Sequence, residues 1–208
     1  ESWAVNYGAG GVADGDDIPL TVPDGGGLVR FTYDAATHVI THTLLAPAAG
    51  WSVVVSSVGA LQSAVDNANS GGDKTILIAD GVYDLSGVAL FITMDGVTVR
   101  SVSGNRSGVV LDSHYVEGGT SGIFRIVASS VTIADLTLKR PYYHAIHISP
   151  AAGRSTQNVQ IRNVHIIDPG EQAIKINPDN PDAATYTVNN GTIKNCLIEL
   201  TDTGRTQL

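Results

Sequence analysis

The sequence is poor in cysteine, in aromatic side chains and in positive charge. A single cysteine, Cys196, excludes an internal disulfide framework and leaves the redox compartment open. Against 20 Asp and Glu there are only 12 Lys and Arg, so the net charge is −8 and the pI is near 5.0. A balance this acidic argues against a nucleic acid or an anionic membrane surface as partner, because both require basic patches. No apolar run approaches the roughly 20 residues of a membrane span. The chain begins at Glu1 with neither Met nor a charged-then-apolar leader, so it reads as a mature or excised piece.

What is present is aliphatic and patterned. Hydrophobic residues make up 43% of the chain against 6% aromatics, with 23 glycines, enough for a sizeable core in one elongated or two compact domains. The stretch Val159 to Ile166 reads VQIRNVHI, two apolar-polar-apolar triplets split by Arg162-Asn163. Val131 to Leu138 reads VTIADLTL, Gly191 to Ile198 reads GTIKNCLI, and Val97-Thr-Val-Arg-Ser101 is an earlier, partial copy. Side chains on a strand alternate faces. Both triplets can therefore point to one interior only if the chain turns a corner between them. Ser101, Asp135, Asn163 and Asn195 occupy that corner, and such short polar residues tolerate tight backbone geometry and bond neighbouring peptide groups. A third short strand precedes each pair: Ala89–Ile92, Ile123–Ile126, Ala145–Ile148 and Ala173–Ile176.

Three strands per repeat, a polar corner and loops of varying length predict an all-β fold, a right-handed parallel β-helix whose stacked coils share one core. A leucine-rich repeat would need a shorter, Leu-dominated unit. Each inward aliphatic contributes about 1.5–3 kcal/mol when fully buried. Cys196 falls on the inward row with Leu136 and Val164, as a small buried hydrophobe. A capping helix is expected where Leu61, Ala64, Val65 and Ala68 share a face behind Ser56-Ser57 and ahead of Gly71-Gly72. A strand, an Asp80-Gly81 turn and a second strand follow. After Ile198 no closing pattern is legible, so further coils are expected beyond Leu208.

The run ALQSAVDNANSGGDKTILIADGVYDLSG resembles the opening of right-handed β-helix proteins of the pectate lyase-like superfamily, including chondroitinase B-like and alginate lyases. The likeness spans about residues 56–208. Before it, WAVNYGAGGVADGDDIPLTV and VRFTYDAATHVITHT resemble the C-terminal part of Ig-like modules attached to pullulanases. The expected organisation is thus a partial Ig-like module over 1–45, a linker over 46–55 and the coils over 56–208. Leu28–Tyr33 and His38–Leu44 read as an antiparallel hairpin within the module, where Trp3 and Tyr7 are candidate sugar platforms or core residues.

Chemistry is expected on the first strand of each coil. There Phe91, Arg125, His147 and Lys175 alternate with inward aliphatics and face out. Cations one rung apart repel rather than help folding, so the row suits a carboxylated partner, an acidic polysaccharide. β-Elimination needs a base and a positive group for the developing enolate. Lys175 is the candidate base among like-charged neighbours, Arg125 the carboxylate clamp, and His147 or His144 an alternative proton carrier. Lys139, Arg140, Tyr142 and Tyr143 fill the turn that leads into the row and, with Glu171, are candidate substrate contacts. The resemblance implies the same face for substrate, Lys and Arg as base and acid, and in some members calcium. Asp168 and Glu171 offer an alternative, as paired carboxylates of a hydrolase or as oxygen ligands for calcium. No metal site is assigned. The expected protein is an extracellular or cell-surface monomer, a lyase-like enzyme or a non-catalytic glycan-binding or structural protein.

Overall fold

The computed structural model describes residues 17–21, 28–34, 36–44, 52–118, 122–150, 153–177 and 186–206. The chain divides into two compact units, Glu1–Ala49 and Gly50–Leu208. In the first, β1 (Asp17–Thr21), β2 (Leu28–Asp34) and β3 (Val39–Leu44) form an antiparallel sheet in that order. The expected hairpin is β2–β3, paired from Val29↔Leu44 to Asp34↔Val39. Pro19 lies in β1, which among the described residues pairs with β2 alone, the edge position where a residue without an N–H is tolerated. Trp3 and Tyr7 lie outside the described residues.

The second unit is mostly β. It opens with β4 (Ser52–Val55), inside the stretch read as linker, and α1 (Val58–Asn69). The Oγ of Ser57 accepts from the N–H of Ala60 at 3.2 Å and caps the helix, while Gly71 leaves it at φ 90°. Leu61, Ala64, Val65 and Ala68 are buried as the pattern requires, and α1 packs on β4, β5 (Thr75–Ile78) and β7 (Leu90–Ile92). Between the last two, β6 (Gly81–Asp84) follows β5 across the Asp80-Gly81 corner.

From β7 onward the chain repeats a three-strand circuit. The strands are β8 (Thr98–Ser101), β9 (Val109–Asp112), β10 (Gly122–Ile126), β11 (Thr132–Ala134), β12 (Thr137–Lys139) and β13 (His144–Ile148). After the short β14 (Thr156–Gln157) come β15 (Gln160–Arg162), β16 (His165–Ile167) and β17 (Ile174–Ile176). The last circuit holds β18 (Val188–Asn189), β19 (Thr192–Lys194), β20 (Leu197–Glu199) and α2 (Asp202–Arg205). Every pairing in this unit is parallel and joins corresponding strands of successive circuits. Three long sheets result, ordered β17-β13-β10-β7, β19-β15-β11-β8-β5-β4 and β20-β16-β12-β9-β6, with a two-stranded sheet, β14-β18, beside them. This arrangement is compatible with a parallel β-helix.

The core follows from the alternation. Val99, Ile133 and Ile161 stack inward and are buried, as are Leu111, Leu138 and Ile166. Their next-rung equivalents Ile193 and Ile198 are about half exposed, at 54% and 56%, because no described strand stacks on β19 or β20. Cys196 is accordingly half-buried rather than buried, with its Sγ 3.4 Å from the Lys194 carbonyl oxygen.

The expected corner is present in three circuits. Asp135, Asn163 and Asn195 have φ of 57°, 51° and 56°, and the Nδ2 of Asn163 donates to the Oδ1 of Asp135 at 2.8 Å. Ser101 departs from the pattern. It is buried within β8, paired with Ile78, and the chain runs on through a loop over residues 102–108. That loop lies along the corner: its Arg106 carbonyl accepts from Thr137 Oγ1, its Gly104 carbonyl from Asn163 Nδ2, and Arg106 Nη1 donates to the Asn195 carbonyl at 3.3 Å. Two further corners lie beyond the one the sequence pattern predicts. Ser130, Asn158 and Asn190, with Gly96, turn left-handed before the second sheet, and Arg140 and Asp168 do so after the third.

Candidate functional site

The first sheet sets the predicted row side by side. Phe91 pairs with Arg125, Arg125 with His147 and His147 with Lys175, each in register. Ile126 and Ile148, inward neighbours of the row, are buried beneath it. Rungs are about 4.8 Å apart. Arg125 and Lys175, two rungs apart across His147, repel by about 0.4 kcal/mol in water and about 1.7 kcal/mol at a partly buried surface. Such a row does not stabilise the fold. Phe91 offsets part of the repulsion, since the Arg125 guanidinium carbon lies 5.2 Å from its ring centroid.

The row is less open than its outward direction implied. His147 is buried, at 5% exposure, and its Nε2 lies 2.7 Å from Asn177 Oδ1. His144 is also buried, and its ring meets that of His147 edge-on with centroids 5.4 Å apart. Burial first and the Lys175 ammonium second push the His144 pKa below the ordinary imidazole value, against the opposing Glu171 carboxylate. His144 is therefore neutral near pH 7. Its Nε2 is 3.7 Å from Glu171 Oε2, too long for a hydrogen bond. A neutral imidazole in this position can accept a proton but holds no fixed charge.

The tyrosines continue the site outward. Tyr142 is exposed and stands edge-on to Tyr143 at 4.5 Å, and Tyr143 lies 6.2 Å from His144. The Tyr143 hydroxyl donates to Glu117 Oε1 at 2.9 Å. The next turn packs directly on this one: a Cβ at Gly170 would sit 2.0 Å from the Tyr142 carbonyl oxygen, so only glycine fits there.

The basic pair in the same turn goes elsewhere. Arg140 donates through Nε to Asp112 Oδ1 at 2.9 Å and through Nη2 to Asp112 Oδ2 at 2.5 Å, and its Nη2 also contacts His114 Nδ1. Burial disfavours the Asp112 carboxylate, but its hydrogen bonds to Arg140 overcome that and hold its pKa below the usual range. Lys139 lies on the third sheet in register with Asp112 and Ile167. It lines a cavity of about 190 Å³ with Arg140, Asp168 and Glu199, not the row. Asp168 is buried, accepting from the Thr201 N–H and hydroxyl at 2.6 and 2.7 Å, while Glu171 lies against His144. The two carboxylates thus serve different neighbours.

Asn177 and Glu117 were not read from the sequence as site residues. Asn177 was accessible to reasoning, because outward alternation continues from Lys175 two places along. Glu117 sits in an irregular segment that carries no period. Among the described residues no group of three or more His, Cys, Asp or Glu side chains is placed to hold a metal ion. Among the described residues no helix is long and apolar enough to cross a membrane. Comparison with protein-family models, curated proteins and solved structures gives no match. The likenesses to pectate lyase-like proteins and to the pullulanase-associated module therefore rest on the quoted segments alone.

Proposed function

We propose that residues 56–208 form the N-terminal coils of a right-handed parallel β-helix capped by α1, and that the first sheet binds an acidic polysaccharide and cleaves it by β-elimination. The observation that carries this reading is the in-register row of Arg125, His147 and Lys175 in a chain of net charge −8. Arg125 grips the uronate carboxylate with its planar fork and stabilises the enolate as the α-proton leaves. Lys175, after giving its ammonium proton to solvent, takes that proton as the neutral amine. The bond from the β-carbon to the glycosidic oxygen then breaks, the electron pair of the lost C–H bond becomes the new double bond, and the leaving oxygen takes a proton from an acid, His147 in this scheme. Tyr142 and Tyr143 flank the sugar chain at the mouth of the row, with Glu171 contacting hydroxyls. The partial Ig-like module, extracellular or surface location and monomeric state complete the proposal, and calcium, which some of the resembling lyases use, is the candidate cofactor.

Burial of His147 favours a second reading, in which the row binds the glycan and does no chemistry. One measurement separates them: ultraviolet absorbance of unsaturated product ends after incubation with pectin, alginate or chondroitin. Absorbance growth supports the lyase. Saturable binding without it supports the binding protein.

A further inference from the structure

We propose that the outer face of the second sheet is a separate binding track for a linear carboxylated polysaccharide. Register places Arg100, Ala134, Arg162 and Lys194 in one row, across β8, β11, β15 and β19. Beside it runs a second row, Thr75, Thr98, Thr132, Gln160 and Thr192. The residues between the rows, Val99, Ile133 and Ile161, are buried, so both rows face outward. One row supplies cations and the other supplies hydroxyl and amide groups. Neither contains a carboxylate, although acids outnumber bases 20 to 12 in the chain. The nearest acid at the corner, Asp135, accepts from Asn163 and lies 4.0 Å from Arg100, while Lys194 at the end of the row is exposed.

The chemistry of the two rows selects the ligand. Guanidinium forks match carboxylates, and a parallel line of Thr and Gln matches sugar hydroxyls one rung apart. Single-stranded nucleic acid fits poorly: no aromatic side chain stands in either row to stack a base, and its charge density opposes a chain of net charge −8. A uronate polymer carries fewer charges and many hydroxyls. The track lies on a different sheet from Arg125, His147 and Lys175, so it stands whether or not that row is catalytic.

Affinity of the full chain for polygalacturonate at low salt tests the track, with three variants. Arg162→Ser/Lys194→Ser should bind about tenfold more weakly, two screened ion pairs' worth, with the difference shrinking as salt rises. Arg162→Lys/Lys194→Arg should retain affinity. Gln160→Glu/Thr192→Glu, which adds carboxylates and deletes no cation, should lose affinity and covers the case in which the Ser variant fails to fold. In all three, unsaturated ends released from short uronate oligosaccharides report separately on the first sheet. Wild-type affinity in both the Ser and Glu variants overturns the track. So does wild-type protein that binds single-stranded RNA or dextran sulfate but not polygalacturonate.

Discussion

The first and second sheets each carry cations on their outer faces, and the contrast between them is instructive. On the first sheet Arg125 and Lys175 enclose His147, with His144 beside it, and both imidazoles are buried, one of them driven neutral. On the second, Arg162 and Lys194 stand next to a line of Thr and Gln, and Lys194 is exposed. Identical strand geometry thus yields two surfaces. A sheltered imidazole can tune protons, whereas a row of half-buried arginines ending in an exposed lysine offers fixed positive charge to an anion.

The sharpest break of that comparison is kinetic. Lys175→Ala should lower elimination about 100-fold or more, as loss of a general base does, while Lys194→Ala leaves turnover of short oligosaccharides unchanged. Equal rates from Lys175→Ala and wild type would remove Lys175 as base. The next effect is on stability, at the corner that joins the second sheet to the third. Asn163→Val places a β-branched side chain at φ 51° and deletes the bond to Asp135. It should cost about 2–3 kcal/mol by urea denaturation. On the first sheet Asn177→Ala removes one hydrogen bond to His147. About 1 kcal/mol is expected by the same measurement, with a shifted pH profile of elimination if His147 carries protons. The smallest effect is acid sensitivity. The His144 pKa is lower in the folded chain than the roughly 6.5 of an unfolded one, so the unfolded state binds the proton first. Its contribution is complete above about pH 6.5 and is lost as pH falls through the lowered folded value. Thermal melts of wild type should decline over that window, and those of His144→Leu should be flatter.

Much of this architecture was legible because strand alternation writes itself into sequence. VTIADLTL and VQIRNVHI name their inward residues outright, and the Arg125–His147–Lys175 register follows from aligning them. The corner at Asp135 and Asn163 was legible for the same reason, but Ser101 was not. Its neighbour along the chain is an excursion of seven residues, 102–108, and a residue before such a loop can stay extended. The corners at Ser130 and Asn158 were readable in principle, as Ser and Asn ahead of each apolar triplet. Arg140 misled, because sequence proximity to Tyr142 suggested the row while its left-handed backbone, φ 49°, turns it toward Asp112. Burial of His147 was not legible, since it comes from His144 on the same strand and Asn177 on the next rung, side-chain packing that strand alternation alone does not report.

The loop over residues 102–108 has a mechanical consequence. It leaves the chain early yet clasps Thr137, Asn163 and Asn195 in turn. A stack held only by neighbour-to-neighbour contacts would peel from its far end one layer at a time under load. Here the clasp ties non-adjacent layers together, so a pulling force on the C-terminal side should release residues 131–199 in a single rupture rather than in a staircase of small ones.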